Sequence, residues 1–63
     1  MLIKELIPYM LEEDKIIIYR KLDISNDEDL YKGFVKDIPP EISELKIGRI
    51  WARKKDVLEI RAE

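Results

Sequence analysis

The chain has 63 residues, with twelve Lys and Arg against fourteen Asp and Glu, and a formal net charge of −2. Cysteine and histidine are both absent, which excludes disulfides, thiol nucleophiles, an imidazole base and zinc sites of the usual Cys/His type, and fits a reducing, cytoplasmic setting. A chain this short buries only about 60% of the surface its unfolded form exposes, so it reads as one small soluble domain of modest stability unless a partner or a second copy contributes.

The opening Leu2-Ile3-Lys4-Glu5-Leu6-Ile7 is broken by charges and lacks a small-residue cleavage pattern, so it reads as neither a signal peptide nor a membrane span. Leu2, Leu6 and Met10 recur at spacing four with Ile3 and Ile7 beside them, which predicts a short helix over 2–11 with one apolar stripe. Pro8 requires that the helix either starts near Ile3 or kinks, because a proline beyond the first turn costs about 3 kcal/mol. Glu12, Glu13 and Asp14 oppose the helix dipole and end it.

Ile16-Ile17-Ile18-Tyr19, flanked by charges, predicts a strand over 15–22. The polar run Asp23 to Asp29 reads as a connection. A second strand over 30–37 places Tyr31, Gly33 and Val35 on one face and Lys32, Phe34 and Lys36 on the other, with Gly33 marking a bulge or the close approach of another element such as the first helix. Pro39 and Pro40 end that strand. Pro40 suits the first turn of a short helix through Leu45, in which Glu41 and Glu44 favour the positive end and Ile42 and Leu45 face the core. Gly48 then lets the chain turn into the last element.

The clearest pattern is period two over 48–62. Ile50 and Ala52 alternate with Arg49, Trp51 and Arg53, and Leu58 and Ile60 alternate with Glu59 and Arg61, which predicts a β-hairpin. A three-residue loop, Lys54 to Asp56 or Lys55 to Val57, puts Ile50, Ala52, Leu58 and Ile60 on one face, whereas a two-residue loop mixes the faces. The fold class is therefore α+β: a four-stranded antiparallel sheet with an N-terminal helix on one face and a short helix between strands 2 and 3. A strongly curved, barrel-like sheet is the alternative. The expected core is Leu2 or Ile3, Leu6, Ile7, Met10, Ile16, Ile18, Val35, Ile42, Leu45, Ile50, Ala52, Leu58 and Ile60.

Chemistry is harder to find. Asp23, Ser25, Asp27 and Asp29 alternate as at the start of a calcium loop, but Glu28 and Phe34 stand where that loop needs Gly and a bidentate Glu. No nucleophile elbow, glycine-rich phosphate loop or HExxH run is present, so the chain reads as a non-enzyme without cofactor, metal or small-molecule substrate. The basic run Lys46, Arg49, Arg53, Lys54 and Lys55 meets no acid and could attract an anionic partner. Arg49, Trp51 and Arg53, with Tyr19 and Phe34 on the same face, have the composition of a protein-protein hot spot or of the covered second face of a small sheet. Weak nucleic-acid binding through Arg49, Trp51, Arg53, Lys54 and Lys55 ranks lower, because the net charge is negative and Glu59 and Glu63 are expected opposite the arginines. A protein partner or self-association is the leading expectation.

Ile3-Lys4-Glu5-Leu6-Ile7, the Lys15-Ile16-x-Ile18 strand, Leu30-Tyr31-x-Gly33-x-Val35-x-Asp37-Ile38-Pro39 and Val57-Leu58-x-Ile60 together resemble a group of small uncharacterised proteins encoded by phages and other mobile elements of low-GC Gram-positive bacteria. Pro40 and the basic Arg53-Lys54-Lys55 depart from that pattern. The resemblance implies an accessory protein that binds and modulates a host or phage protein, and supplies no catalytic residues.

Overall fold

The computed structural model of the protein describes residues 1–54 and 57–63, Lys54 by its backbone alone. In chain order the elements are α1 (Ile3–Leu6), β1 (Lys15–Lys21), β2 (Asp27–Phe34), α2 (Pro40–Ser43), β3 (Ile47–Lys54) and β4 (Val57–Ala62), with 3-10 turns at Ile7–Tyr9 and Val35–Asp37. The α+β architecture, the N-terminal helix on one face and the short helix between the second and third strands are as the sequence predicts.

The sheet itself departs from expectation. Its order is β2-β1-β4-β3, with antiparallel outer pairs and a parallel central pair, Ile16 opposite Leu58 and Ile18 opposite Ile60. The sheet is mixed, not antiparallel throughout. Each hairpin turns its more apolar strand inward to the seam and leaves its more charged strand at an edge, where water tolerates it. Direction at the seam is set by residues 35–46: β2 finishes beside the start of β1, whereas β3 begins beside the end of β4. This connection runs the length of the sheet and lays Val35, Ile38, Ile42 and Leu45 onto the core. An antiparallel seam would start β3 where β2 stops and strand those side chains off the sheet.

Ile3, Ile16, Ile18, Val35 and Ile60 form the buried centre, each isoleucine contributing roughly 1.5–3 kcal/mol by leaving water. Leu6, Ile7, Met10, Ile42, Leu45 and Leu58 pack around it as expected, joined by Leu30, Tyr31, Ile38 and Ile47. Ile50 and Ala52 do lie on the core face, opposite Ile60 and Leu58, yet Ile50 is 39% exposed and Ala52 is open to solvent. They sit on edge strand β3, beyond the reach of the helical layer. Ala62, 4% exposed, takes a core place the sequence reading left empty.

Local departures have local causes. Pro8 limits α1 to a single turn, after which the chain tightens into the 3-10 turn and leaves at Met10 in an extended conformation. The Glu5 carboxylate accepts from the Leu2 N–H (2.8 Å), and Ile3 donates to the Leu45 carbonyl (2.9 Å) and Ile47 to that of Met1 (2.8 Å), so the chain start is tied to the start of β3. Strand β2 begins at Asp27, earlier than the predicted Leu30, and a bulge between Tyr31 and Asp29 turns both Leu30 and Tyr31 towards the core. The element close to Gly33 is not a helix but the Tyr31 ring: a Cβ there would lie 2.8 Å from Tyr31 Oη. Gly48 is inside β3 at a bulge rather than in a turn, with Arg61 O 3.1 Å from where its Cβ would be. Glu44 caps the C-terminal end of α2 and not its first turn.

The odd register of the last hairpin holds from Arg49 opposite Arg61 to Ala52 opposite Leu58, then shifts so that Lys54 faces Val57. The loop expected at Lys54–Asp56 or Lys55–Val57 falls largely on Lys55 and Asp56, outside the described residues. Among the described residues no helix is long and apolar enough to cross a membrane.

Candidate interaction surface

Side chains alternate along a strand, and residues paired across strands share a face. The face turned away from α1 therefore reads in rows: Phe34, Lys15 and Val57; then Lys32, Ile17, Glu59 and Trp51; then Asp29, Tyr19, Arg61 and Arg49. The helices and turns pack against Ile16, Ile18 and Ile60 on the opposite face, so these rows carry no second layer. Lys15, Lys21, Lys32, Arg49, Arg53 and Arg61 outnumber Asp27, Asp29 and Glu59 here, although the whole chain is net negative.

Trp51 is half-buried without any covering element, because its neighbours on the sheet hold it. The Tyr19 ring meets it edge-on, centroids 5.9 Å apart at 79°, a geometry that sets the positive edge of one ring to the negative face of the other. The Arg49 guanidinium lies 5.6 Å from the indole, a cation-π distance. Arg53 Nη1 is 3.7 Å from Glu59 Oε2, with the arginine side chain 58% exposed and the glutamate 17%. Such a half-exposed pair orients side chains more than it stabilises the fold. The result is a preset aromatic-arginine cluster spanning β1 and β3 over Glu59 and Arg61.

Of the residues singled out from sequence, Tyr19, Arg49, Trp51 and Arg53 come together. Phe34 shares the face but lies at the opposite edge, 41% exposed, with Lys36 Nζ 5.7 Å from its ring. Glu59 stands opposite Trp51, and Arg61, not an acid, stands opposite Arg49. Lys55 and the side chain of Lys54 are outside the described residues. Lys32 and Arg61 fall on this face in the sequence pattern, beside Phe34 and Glu59, but neither they nor Lys15 are singled out there as part of the surface. Their signal was parity: each stands at an alternate position from Tyr19, Glu59 or Phe34 along its own strand. At the end of the sheet where β2 finishes, Lys15, Lys32 and Arg53 border an open groove of about 510 Å³ floored by Ile17 and Val57.

The acidic hairpin loop has a structural use. Asp23 Oδ1 accepts from the Ser25 N–H (2.9 Å) and the Asn26 N–H (2.9 Å), and Oδ2 from Asn26 Nδ2 (2.9 Å). The Asn26 side chain first, then the Ser25 N–H, hold this carboxyl below the usual carboxylate range. Its lone pairs are committed to the turn. Among the described residues no three metal-ligating side chains converge, and no charged side chain is buried.

Compared with family models, curated proteins and solved structures, the chain matches none.

Proposed function

We propose that this chain is a protein-protein interaction module that docks an acidic partner on its bare sheet face, with Tyr19, Arg49 and Trp51 at the centre of the contact. The observation that supports this reading is the preset cluster itself. Trp, Tyr and Arg are the residues that dominate binding energy at interfaces, and here they are ordered by contacts within the sheet, so little side-chain freedom remains to be lost on docking. The surrounding excess of lysine and arginine selects an acidic partner and speeds encounter with it. In keeping with the resemblance of its hydrophobic spacing to mobile-element accessory proteins, the module works in the cytoplasm by modulating another protein, without catalysis or cofactor.

Base stacking on Trp51 would have to displace Arg49 from the ring, which places nucleic acid second. The experiment is selection of a random peptide display library on the immobilised protein, beside fluorescence titration with 20-nucleotide DNA and RNA. Acid-rich peptides that lose at least tenfold in affinity to Trp51→Ala and Arg49→Ala support the reading. Enrichment without acidic bias, binding indifferent to both substitutions, or oligonucleotide binding tighter than any peptide and steep in salt overturns it.

A further inference from the structure

Strand β3 closes one side of the sheet: beyond Ile47, whose N–H donates to the Met1 carbonyl, no strand among the described residues pairs with its outer edge, and three features of it describe what would fit there. Arg49 and Arg53 stand on the bare face on either side of Trp51. Ile50, 39% exposed, and Ala52, on the other face, are apolar residues of the core face left open to solvent. The strand is regular from Arg49 to Ala52, between the bulge at Gly48 and the register shift at Arg53.

Resting on the acidic-partner reading above, we infer that β3 accepts a fifth strand from the partner, antiparallel, in the pattern acid, apolar, small polar, apolar, acid. Side chains of an added strand share faces with those they oppose. The two acids pair with Arg53 and Arg49, the small residue leaves room beside Trp51, and the two apolar residues cover Ala52 and Ile50. The partner thereby completes the core face at the point where the helical layer stops.

Charge argues against a second copy as occupant. Antiparallel pairing of β3 with itself about Trp51 sets Arg49 against Arg53, and like charges opposite one another are destabilising. The other edge, β2, carries Asp27 and Asp29 with Lys32 as its single cation on the bare face and offers no pair of cations to the two acids, so the proposal is specific to one edge.

The test uses a labelled peptide with the core Glu-Val-Thr-Val-Glu, its Lys-Val-Thr-Val-Lys counterpart, and two Glu peptides N-methylated at alternate positions. The full chain should bind the Glu peptide at least tenfold more tightly than the Lys peptide, and one of the two N-methylated peptides should lose at least tenfold. Alternate β3 amides should gain hydrogen-exchange protection on binding, and an Arg49→Glu, Arg53→Glu variant should reverse the preference. Acidic peptides that bind equally well when N-methylated in either pattern overturn strand addition but leave docking on the sheet face intact. Equal affinity for Glu and Lys peptides, or for neither, overturns the strand together with the acidic-partner reading.

Discussion

Gly33→Ala is the sharpest perturbation of the fold. Gly33 pairs with Ile16 on the core face, and the Tyr31 ring lies over it so that its hydroxyl donates to the Phe34 carbonyl at 2.7 Å. A methyl at Gly33 would stand 2.8 Å from Tyr31 Oη and 3.2 Å from Cζ, closer than packed carbon atoms tolerate. Tyr31 must swing aside, giving up a hydrogen bond of about 0.5–1.5 kcal/mol and disturbing its packing at a cost of about 1–3 kcal/mol. Alanine returns roughly 0.5–1 kcal/mol by restricting the unfolded chain, so the net loss is about 0.5–4 kcal/mol, with a fall in Tm of about 4–8 °C per kcal/mol in a domain of this size. Urea denaturation followed by circular dichroism and Trp51 fluorescence measures it. The decisive step is the cycle with Tyr31→Phe, which removes the atom at 2.8 Å and leaves the nearest neighbour at 3.2 Å. Gly33→Ala should then cost at least about 0.5 kcal/mol less than in the parent chain, a coupling typical of residues in contact. Strict additivity, or a stabilised single variant, would show that the ring does not occupy the glycine's space.

Three further outcomes rest on burial and on charge. Ile60→Val should cost about 0.5–1.5 kcal/mol, whereas Ile50→Val, on the same face and directly opposite, should stay within about 0.5 kcal/mol because its site is open to water; equal losses would mean that β3 is covered after all. Asp23 has a lowered pKa in the folded chain, so its contribution is fully present above its unfolded pKa and is lost as pH falls through the folded value. Asp23→Asn should flatten the acid side of the stability profile. Tyr31 is raised by burial first and by the charge of Asp37 second, so its contribution is complete below its unfolded pKa and fades as pH rises through the folded one; Tyr31→Phe should flatten the alkaline side, and unchanged profiles would refute both assignments.

Which face of the last hairpin is apolar could be read from residues 48–62 alone, since a period of two admits one assignment once the odd register is chosen. The same parity puts Tyr19 and Trp51 on one face. Their 5.9 Å contact could not be read that way, because they are brought together only by placing β1 and β3 on either side of β4. Neither could the bulge at Leu30, since alternation gives no warning of an inserted residue, nor the partner of Gly33, which is a ring two residues away rather than the expected helix.

By itself the sequence determined the class of fold, the order of its elements, the composition of the two sheet faces and the helix-limiting effect of Pro8, all of which depend on neighbours along the chain. Tertiary structure alone decided that β1 and β4 run parallel, that Ile50 and Ala52 lie bare on an edge, and that Arg49, Tyr19 and Trp51 form one cluster. An alternating strand looks the same whichever way it runs. The path of residues 35–46 across the core, a balance of burial over the whole molecule, selects the direction and with it the edge left open.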